Sequence, residues 1–159
     1  MSDTTDKAFE SICRMVAIRE HSCDELSLKL RKKGFAQADI EDALSKALSC
    51  GLIDNNRYAR SYAYTMLSSG HGVMGIRSHL ESIGLNQADV ECVISETLDD
   101  LFPDHVDEID RALNLLERSY FSSSNPRDAA FRKLVRKGYT FEQAKCAATR
   151  FFPDKFFDN

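Results

Sequence analysis

Apolar side chains recur along this chain with the spacing of one helix face. Ile40, Ala43, Leu44, Ala47 and Leu48 fall at i, i+3, i+4, i+7 and i+8. Val90, Val93, Ile94 and Leu98 repeat most of that stripe, and Ala144, Ala147, Ala148 and Phe151 fill it a third time with smaller side chains. This period predicts amphipathic helices, each burying one face. Another helix is predicted ahead of each stripe. Ser22 with Glu25 reads as a capping box for the first, and Asn125-Pro126 as an N-cap with proline at the first helical position for the third. Gly70-His71-Gly72 breaks the chain before the middle one and reads as a hinge. Each group opens with one more helix, marked by Phe9, Ile12, Cys13 and Val16, then Tyr58, Tyr62 and Met66, then Ile109, Ala112, Leu113 and Leu116. No segment alternates polar and apolar for long enough to predict a strand.

The joint between the second and third helix of each group is the same motif three times. Leu30-Arg31-Lys32-Lys33-Gly34-Phe35 returns as Leu80-Glu81-Ser82-Ile83-Gly84-Leu85 and as Leu134-Val135-Arg136-Lys137-Gly138-Tyr139. A Leu stands four before each Gly, and a large apolar residue follows it. Glycine ends a helix by taking the left-handed conformation, and the apolar residue then folds back onto the core. Thr140 with Gln143 reads as a capping box for the next helix, and Asn86 with Asp89 as a capping pair. Ala36 holds the matching place in the first group and cannot cap, so that helix start should be weaker by about 1 kcal/mol.

The expected fold is all-α, a tandem array of three three-helix repeats with nine helices. The boundaries fall at 1–54, 55–103 and 104–159, the last repeat carrying an aromatic tail, Phe151-Phe152-Pro153-Asp154-Lys155-Phe156-Phe157, expected to dock on it. Arrays of this kind contact mainly their neighbours, which predicts an elongated, curved molecule.

Composition narrows the function classes. At 159 residues the chain can bury roughly 70% of its unfolded surface without a metal or disulfide staple. Cys13, Cys23, Cys50, Cys92 and Cys146 are odd in number and form no C-x-x-C, which argues against a disulfide framework and a zinc site. Most sit among apolar helical neighbours and read as small hydrophobes. The N-terminus has neither the basic start nor the apolar core of a signal peptide, and no apolar run reaches the roughly 20 residues that span a bilayer. A cytoplasmic protein with no membrane contact is expected, and nothing points to an obligate dimer.

The formal charge is −4, so positive charge has to be local if phosphate is bound. Residues 55–103 carry three basic and six acidic side chains, whereas 104–159 carry ten and nine. Lys29, Arg31, Lys32 and Lys33 crowd the last turn of one helix, and Arg132, Lys133, Arg136 and Lys137 crowd the equivalent turn of the third repeat. Cations at a helix C-terminus complement the dipole, which accounts for one or two per helix. Two readings fit the excess, a solvated face or contact with phosphate or an acidic partner. In the middle repeat Arg77 and His79 share the turn with Glu81. Tyr58 and Tyr62, at i and i+4, read as core, which leaves Arg57 and Arg60 pointing away and free to bind.

The glycine joint also resembles a helix-turn-helix, but the recognition positions Gln37, Ala38, Asp39, Glu41 and Asp42 are acidic and would be repelled by duplex DNA. His21, His71, His79 and His105 are scattered, no H-E-x-x-H or Gly-rich phosphate loop is present, and no catalytic residue, metal ligand or cofactor is expected. His21 reads as a local hydrogen-bonding or packing residue.

Taken in order, Ile18-Arg19-Glu20-His21-Ser22 with Glu25-Leu26, the Leu30–Phe35 joint, and Gly51-Leu52-Ile53-Asp54 with Arg57-Tyr58-Ala59 resemble the first unit of the RecX family. Gly70-His71-Gly72 with Ile76-Arg77, Leu80 and Ile83-Gly84-Leu85 resembles its middle unit, and Phe131 to Tyr139 its third. His71 and Val73 stand where that family usually has an aromatic and a proline, and Gly75 where a basic residue is frequent. A Trp common near the start of the third unit is absent. The resemblance implies a tandem three-helix fold without catalysis. It implies binding to RecA filaments on single-stranded DNA, with the DNA touched weakly or through RecA. It also implies inhibition of RecA ATP hydrolysis, strand exchange and co-protease activity, and so damping of the SOS response. A stand-alone nucleic-acid-binding module and a generic helical adaptor are the alternatives.

Overall fold

The computed structural model describes residues 3–153. Its described residues form α1 (Asp3–Val16), α2 (Cys23–Lys32), α3 (Gln37–Ser49), α4 (Asn55–Ser68), α5 (Val73–Ser82), α6 (Gln87–Leu101), α7 (Glu108–Glu117), α8 (Pro126–Arg136) and α9 (Phe141–Phe151), with no strand among them. The chain is all-α, with three successive three-helix groups as the repeat pattern predicts. It gathers into two compact units, Met1–Ser61 with Ile83–Leu85, and Tyr62–Ser82 with Asn86–Asn159.

The glycine joints form as expected. Gly34, Gly84 and Gly138 have φ of +87°, +92° and +85°. In the first joint the Phe35 amide donates to the Leu30 carbonyl (3.3 Å), and in the third the Tyr139 amide donates to Leu134 (3.2 Å). These bonds satisfy carbonyls that the helix end orphans. The same Leu is fully buried each time, so one residue closes the helix and anchors its core face. Thr140 and Gln143 make the full capping box, and Asn86, Asp107 and Asn125 each accept an amide of the turn that follows. Ala36 makes no side-chain cap. At Ser22 only half of the predicted box forms. Ser22 Oγ accepts from the Glu25 amide, but the Glu25 carboxylate turns to Arg19 and Lys29 instead of back to the cap.

In the first unit Ala8, Ile12, Leu26, Leu30, Ile40, Ala43, Ala47 and Ile53 make the core. Alanines on α1 and α3 let those helices pack closely. Larger side chains predicted as core, such as Phe9 and Val16, lie half-buried on the flank. Thr5 is buried and donates to Asp39 at 2.7 Å across this contact.

The second unit is built around Tyr139, which is fully buried among Ala112, Leu116, Ala130, Leu134, Ala144 and Ala147. Its hydroxyl donates to the Gly70 carbonyl at 3.1 Å, and burial pushes its pKa up to about 12. The predicted hinge is thereby pinned. The Gly72 amide donates to the Lys137 carbonyl (2.9 Å) and the Gly75 amide to the Gly138 carbonyl (3.0 Å). A Cβ on Gly72 would stand 2.5 Å from the Gly138 oxygen, and one on Gly75 would stand 2.8 Å from the Gly138 Cα. Glu108 completes the joint, accepting from the Val73 amide at the start of α5 (2.7 Å) and from Gln143 (2.7 Å). Phe151 and Phe152 pack edge-to-face at 4.9 Å against the α7–α9 core. The rest of the expected docking tail, Asp154 to Phe157, lies outside the described residues. The small-hydrophobe expectation holds for Cys23, which is half-buried against the first core, and Cys13 and Cys146 are also half-buried; Cys50 and Cys92 depart from it and are exposed.

The joints differ in how much a methyl group would disturb them. Nothing lies within 4 Å of a Cβ added at Gly34, so Gly34→Ala should lose only the left-handed penalty of about 1–2 kcal/mol. Gly138→Ala meets the Gly75 backbone at 2.8 Å as well and should lose at least twice as much in urea unfolding followed by circular dichroism. Ala36→Ser supplies the missing cap and should raise stability by about 1 kcal/mol in the same measurement.

Candidate functional site

The eleven basic residues singled out by the sequence divide between the two units, and most are already engaged. In the first unit the loop before α2 is the centre. Arg19 makes two hydrogen bonds to the Glu25 carboxylate and one to the Glu20 carbonyl (2.9 Å). Lys29 pairs with Glu25 at 3.1 Å and meets His21 Nε2 at 2.8 Å. His21 is buried, and its Nδ1 lies 2.8 Å from the Arg19 carbonyl. A lysine can only donate, so His21 accepts at Nε2 and donates from Nδ1–H. The expectation of a local structural histidine holds.

Burial pushes the Glu25 carboxyl up, but hydrogen bonds from Arg19 and Lys29 and the nearby charges outweigh it and hold Glu25 below the usual carboxylate range. Arg31 donates to Gln37 (3.0 Å), and Lys33 donates to Ser11 Oγ (2.6 Å). Lys32 is exposed, with no side-chain partner among the described residues.

Arg57 and Arg60 require a correction. Arg57 is not free: its Nε donates to Glu20 at 2.5 Å and its Nη2 to the Leu52 carbonyl at 3.1 Å. Arg60 also has a partner within the protein. The acid that captures Arg57 lies thirty-seven residues earlier, where helical spacing cannot reveal it. Tyr58 is buried as expected, whereas Tyr62 is half-buried and stacks on His79 at 4.1 Å.

In the second unit Arg77 is bidentate to Glu91, at 2.6 and 3.2 Å. Arg132 pairs with Asp128 one turn back (3.0 Å), and Lys133 lies 5.7 Å from the centre of the Phe121 ring. Arg136 and Lys137 have no side-chain partner among the described residues, although the Lys137 carbonyl is used at the glycine joint. Of the eleven, Lys32, Arg136 and Lys137 are therefore the ones with no side-chain partner among the described residues. Lys32 and Arg136 stand at the same place in the motif, two before the glycine, where Ser82 stands in the middle repeat. Charge counting along the sequence missed the exposed apolar groups of this repeat. Phe141 is 69% exposed and Val135 37%.

Among the described residues no group of His, Cys, Asp or Glu could hold a metal ion. No described helix is long and apolar enough to cross a membrane.

Three comparisons bear on this arrangement. Residues 8–46 match the sequence model of the RecX first three-helix domain. The chain is 33% identical over 116 residues to "Regulatory protein RecX" of Pseudomonas putida, a match covering 73% of this chain and 76% of that protein. It is 29% identical over 140 residues to the protein of the same name from Vibrio vulnificus, covering 87% and 88%. The match to the Legionella pneumophila protein, 31% identical, spans only 62% of that protein's length. The crystal structure of RecX from Lactobacillus salivarius is similar in fold, with TM-score 0.60 over 95% of this chain and 98% of that one at 20% identity.

The Glu25 network yields a pH prediction. A carboxyl held low in the folded state stabilises above its unfolded pKa, and that contribution disappears as pH falls through the folded value. Glu25→Gln should therefore lower stability at pH 7, by less than about 1 kcal/mol for so solvent-accessible a group. In thermal melts from pH 7 to 3, the gap to wild type should close at the acid end.

Proposed function

The chain belongs to the RecX family of regulatory proteins, and from that premise we propose that it is a non-enzymatic regulator of RecA. In this proposal it binds RecA, or RecA filaments on single-stranded DNA, as a monomer in the cytoplasm. Bound there, it inhibits RecA ATP hydrolysis, strand exchange and co-protease activity. The observation that carries the proposal is the likeness to the Pseudomonas putida regulator over three quarters of both chains. The geometry is compatible with it. Lys32, Arg136 and Lys137, which have no side-chain partner among the described residues, are presented on helix ends and suit docking to a charged assembly better than enclosing a substrate. The repeats 1–54, 55–103 and 104–159 are proposed as successive contact units, whose linkage raises avidity without new chemistry.

A second reading, a nucleic-acid-binding module acting without RecA, draws on the same three cations. The two separate cleanly. Titrating the chain into RecA turning over ATP on single-stranded DNA should reduce turnover, and undiminished turnover at saturation overturns the proposal. Lys32→Glu with Lys137→Glu should weaken filament binding. If these lysines touch phosphate in the complex, the double variant should also flatten the log–log salt dependence by about 0.7 for each phosphate no longer neutralised. Salt-sensitive binding to bare DNA without any effect on RecA would favour the second reading.

A further inference from the structure

The third repeat has changed the character of its surface at positions that the other two keep polar. Counted from the joint glycine, Phe131, Val135 and Phe141 stand at −7, −3 and +3 of Gly138. The same places hold Ser27, Arg31 and Gln37 around Gly34, and Arg77, Glu81 and Gln87 around Gly84. In the first repeat Arg31 and Gln37 simply hydrogen-bond to each other at 3.0 Å across the joint, and in the second Arg77 binds Glu91. The fold therefore builds this joint twice with polar side chains, and the apolar trio of the third repeat is not needed to close it.

The trio does not disappear into the core. On α8 the core face is made by Ala130 and Leu134, and Val135 lies off that face and exposed. Phe131 is half-buried and meets the exposed ring of Phe141 edge-to-face at 4.7 Å. Ala129, Phe131, Arg132, Val135 and Arg136 line an open groove of about 460 Å³ along this side of the helix.

The charge around the groove is one-sided. Arg132 is held by Asp128, but Arg136 and Lys137 have no acid partner among the described residues, and Glu142 is the acid nearest in sequence. An apolar floor with one aromatic ring, Phe131, and an arginine at the rim is the composition of an interface hot spot. A single nucleic-acid strand fits less well. It needs a run of phosphate contacts, whereas Ala129 and Val135 offer it nothing.

We propose that this face of α8, with Phe141 at its edge, is a docking site for an acidic protein segment that inserts an apolar side chain between Phe141 and Val135 and sets a carboxylate against Arg136. It deepens the RecA reading and rests on it, since the occupant would be a segment of that partner.

The test uses the full chain. Val135→Gln with Phe141→Gln removes the apolar contacts without altering charge, and Gln already occupies the Phe141 place in both other repeats. Arg136→Glu removes the cation, and Arg136→Lys keeps it. Binding is read on RecA filaments formed on single-stranded DNA, on the bare oligonucleotide, and by sedimentation of the chain alone, with thermal melts as the check on folding. The double variant should bind filaments roughly tenfold more weakly or worse, with unchanged melting and unchanged oligonucleotide binding. Arg136→Glu should show a comparable loss, and Arg136→Lys should recover most of it.

Wild-type filament affinity in both the double variant and Arg136→Glu overturns the docking site and leaves the RecA reading standing. Failure of the wild-type chain to bind filaments removes both. An equal loss on the bare oligonucleotide makes the occupant nucleic acid. A dimer present in wild type and absent in the double variant makes it a second copy. Either outcome overturns the proposal as stated.

Discussion

Gly138 ends α8 in the left-handed conformation that other residues adopt at a cost of about 1–2 kcal/mol, as Gly34 and Gly84 do for their own helices. It also lacks the Cβ that would separate its backbone from Gly72 and Gly75, so two amides of one helix start reach two carbonyls of another helix end. The hydrogen bonds are ordinary in strength, about 1 kcal/mol each net. Their effect is larger because they fix where neighbouring groups lie. Tyr139 is carried into the core beside them with its hydroxyl on Gly70, and Glu108 is held between the start of α5 and Gln143. The second unit is organised around this contact, and neither Gly72 nor Gly75 could carry a Cβ without moving it.

The same constraint explains why the basic turn of α8 stays available. The backbone of Lys137 is committed to the Gly72 amide, so the turn is held in position while the Arg136 and Lys137 side chains have no side-chain partner among the described residues. On α2 the outcome differs. Lys29, Arg31 and Lys33 each find an acceptor nearby, and Lys32 alone in that cluster does not. Exposed pairs of this kind contribute at most about 1 kcal/mol. A partner with a better acceptor could therefore exchange for Gln37 or Glu91 at little cost. The exchange would cost more at Lys29, which is tied to both Glu25 and buried His21.

Much of the fold is legible in the sequence because its signals are local. A glycine after a leucine-anchored turn, Thr140 with Gln143, and Asn125 before Pro126 act within a few residues, and each forms as its pattern predicts. The departures come from contacts distant in sequence or from competing charges. Glu25 has the spacing to close its own cap and instead serves Arg19 and Lys29, because a charged partner outcompetes a backbone amide already near water. Arg57 has no acid at helical spacing that would reveal its partner, because Glu20 is remote. Gly70-His71-Gly72 has the composition of a hinge, yet the groups that pin it, Tyr139 and Lys137, lie in another repeat. The core faces are rotated slightly for a related reason. Periodicity favours the largest apolar residue, whereas close helix packing favours alanine, so Ala8, Ala59 and Ala63 are buried more deeply than Phe9 and Tyr62.

Repetition supplies what a single sequence otherwise lacks, an internal reference. Three copies of one joint share the same local backbone turn, so any place where they agree reports that turn. The buried leucine and the left-handed glycine agree in all three. The places three residues on either side of that glycine do not. There the chain has Arg31 and Gln37, then Glu81 and Gln87, then Val135 and Phe141. Backbone geometry cannot explain a difference between copies with the same backbone. Solubility does not explain it either, since exposing Phe141 and Val135 costs solvation that Gln and Arg would not. What remains is a demand from outside the repeat. It falls on the copy in which Arg136 and Lys137 have no side-chain partner among the described residues, and this coincidence, more than the number of basic residues, is what supports the proposed docking face on the third repeat.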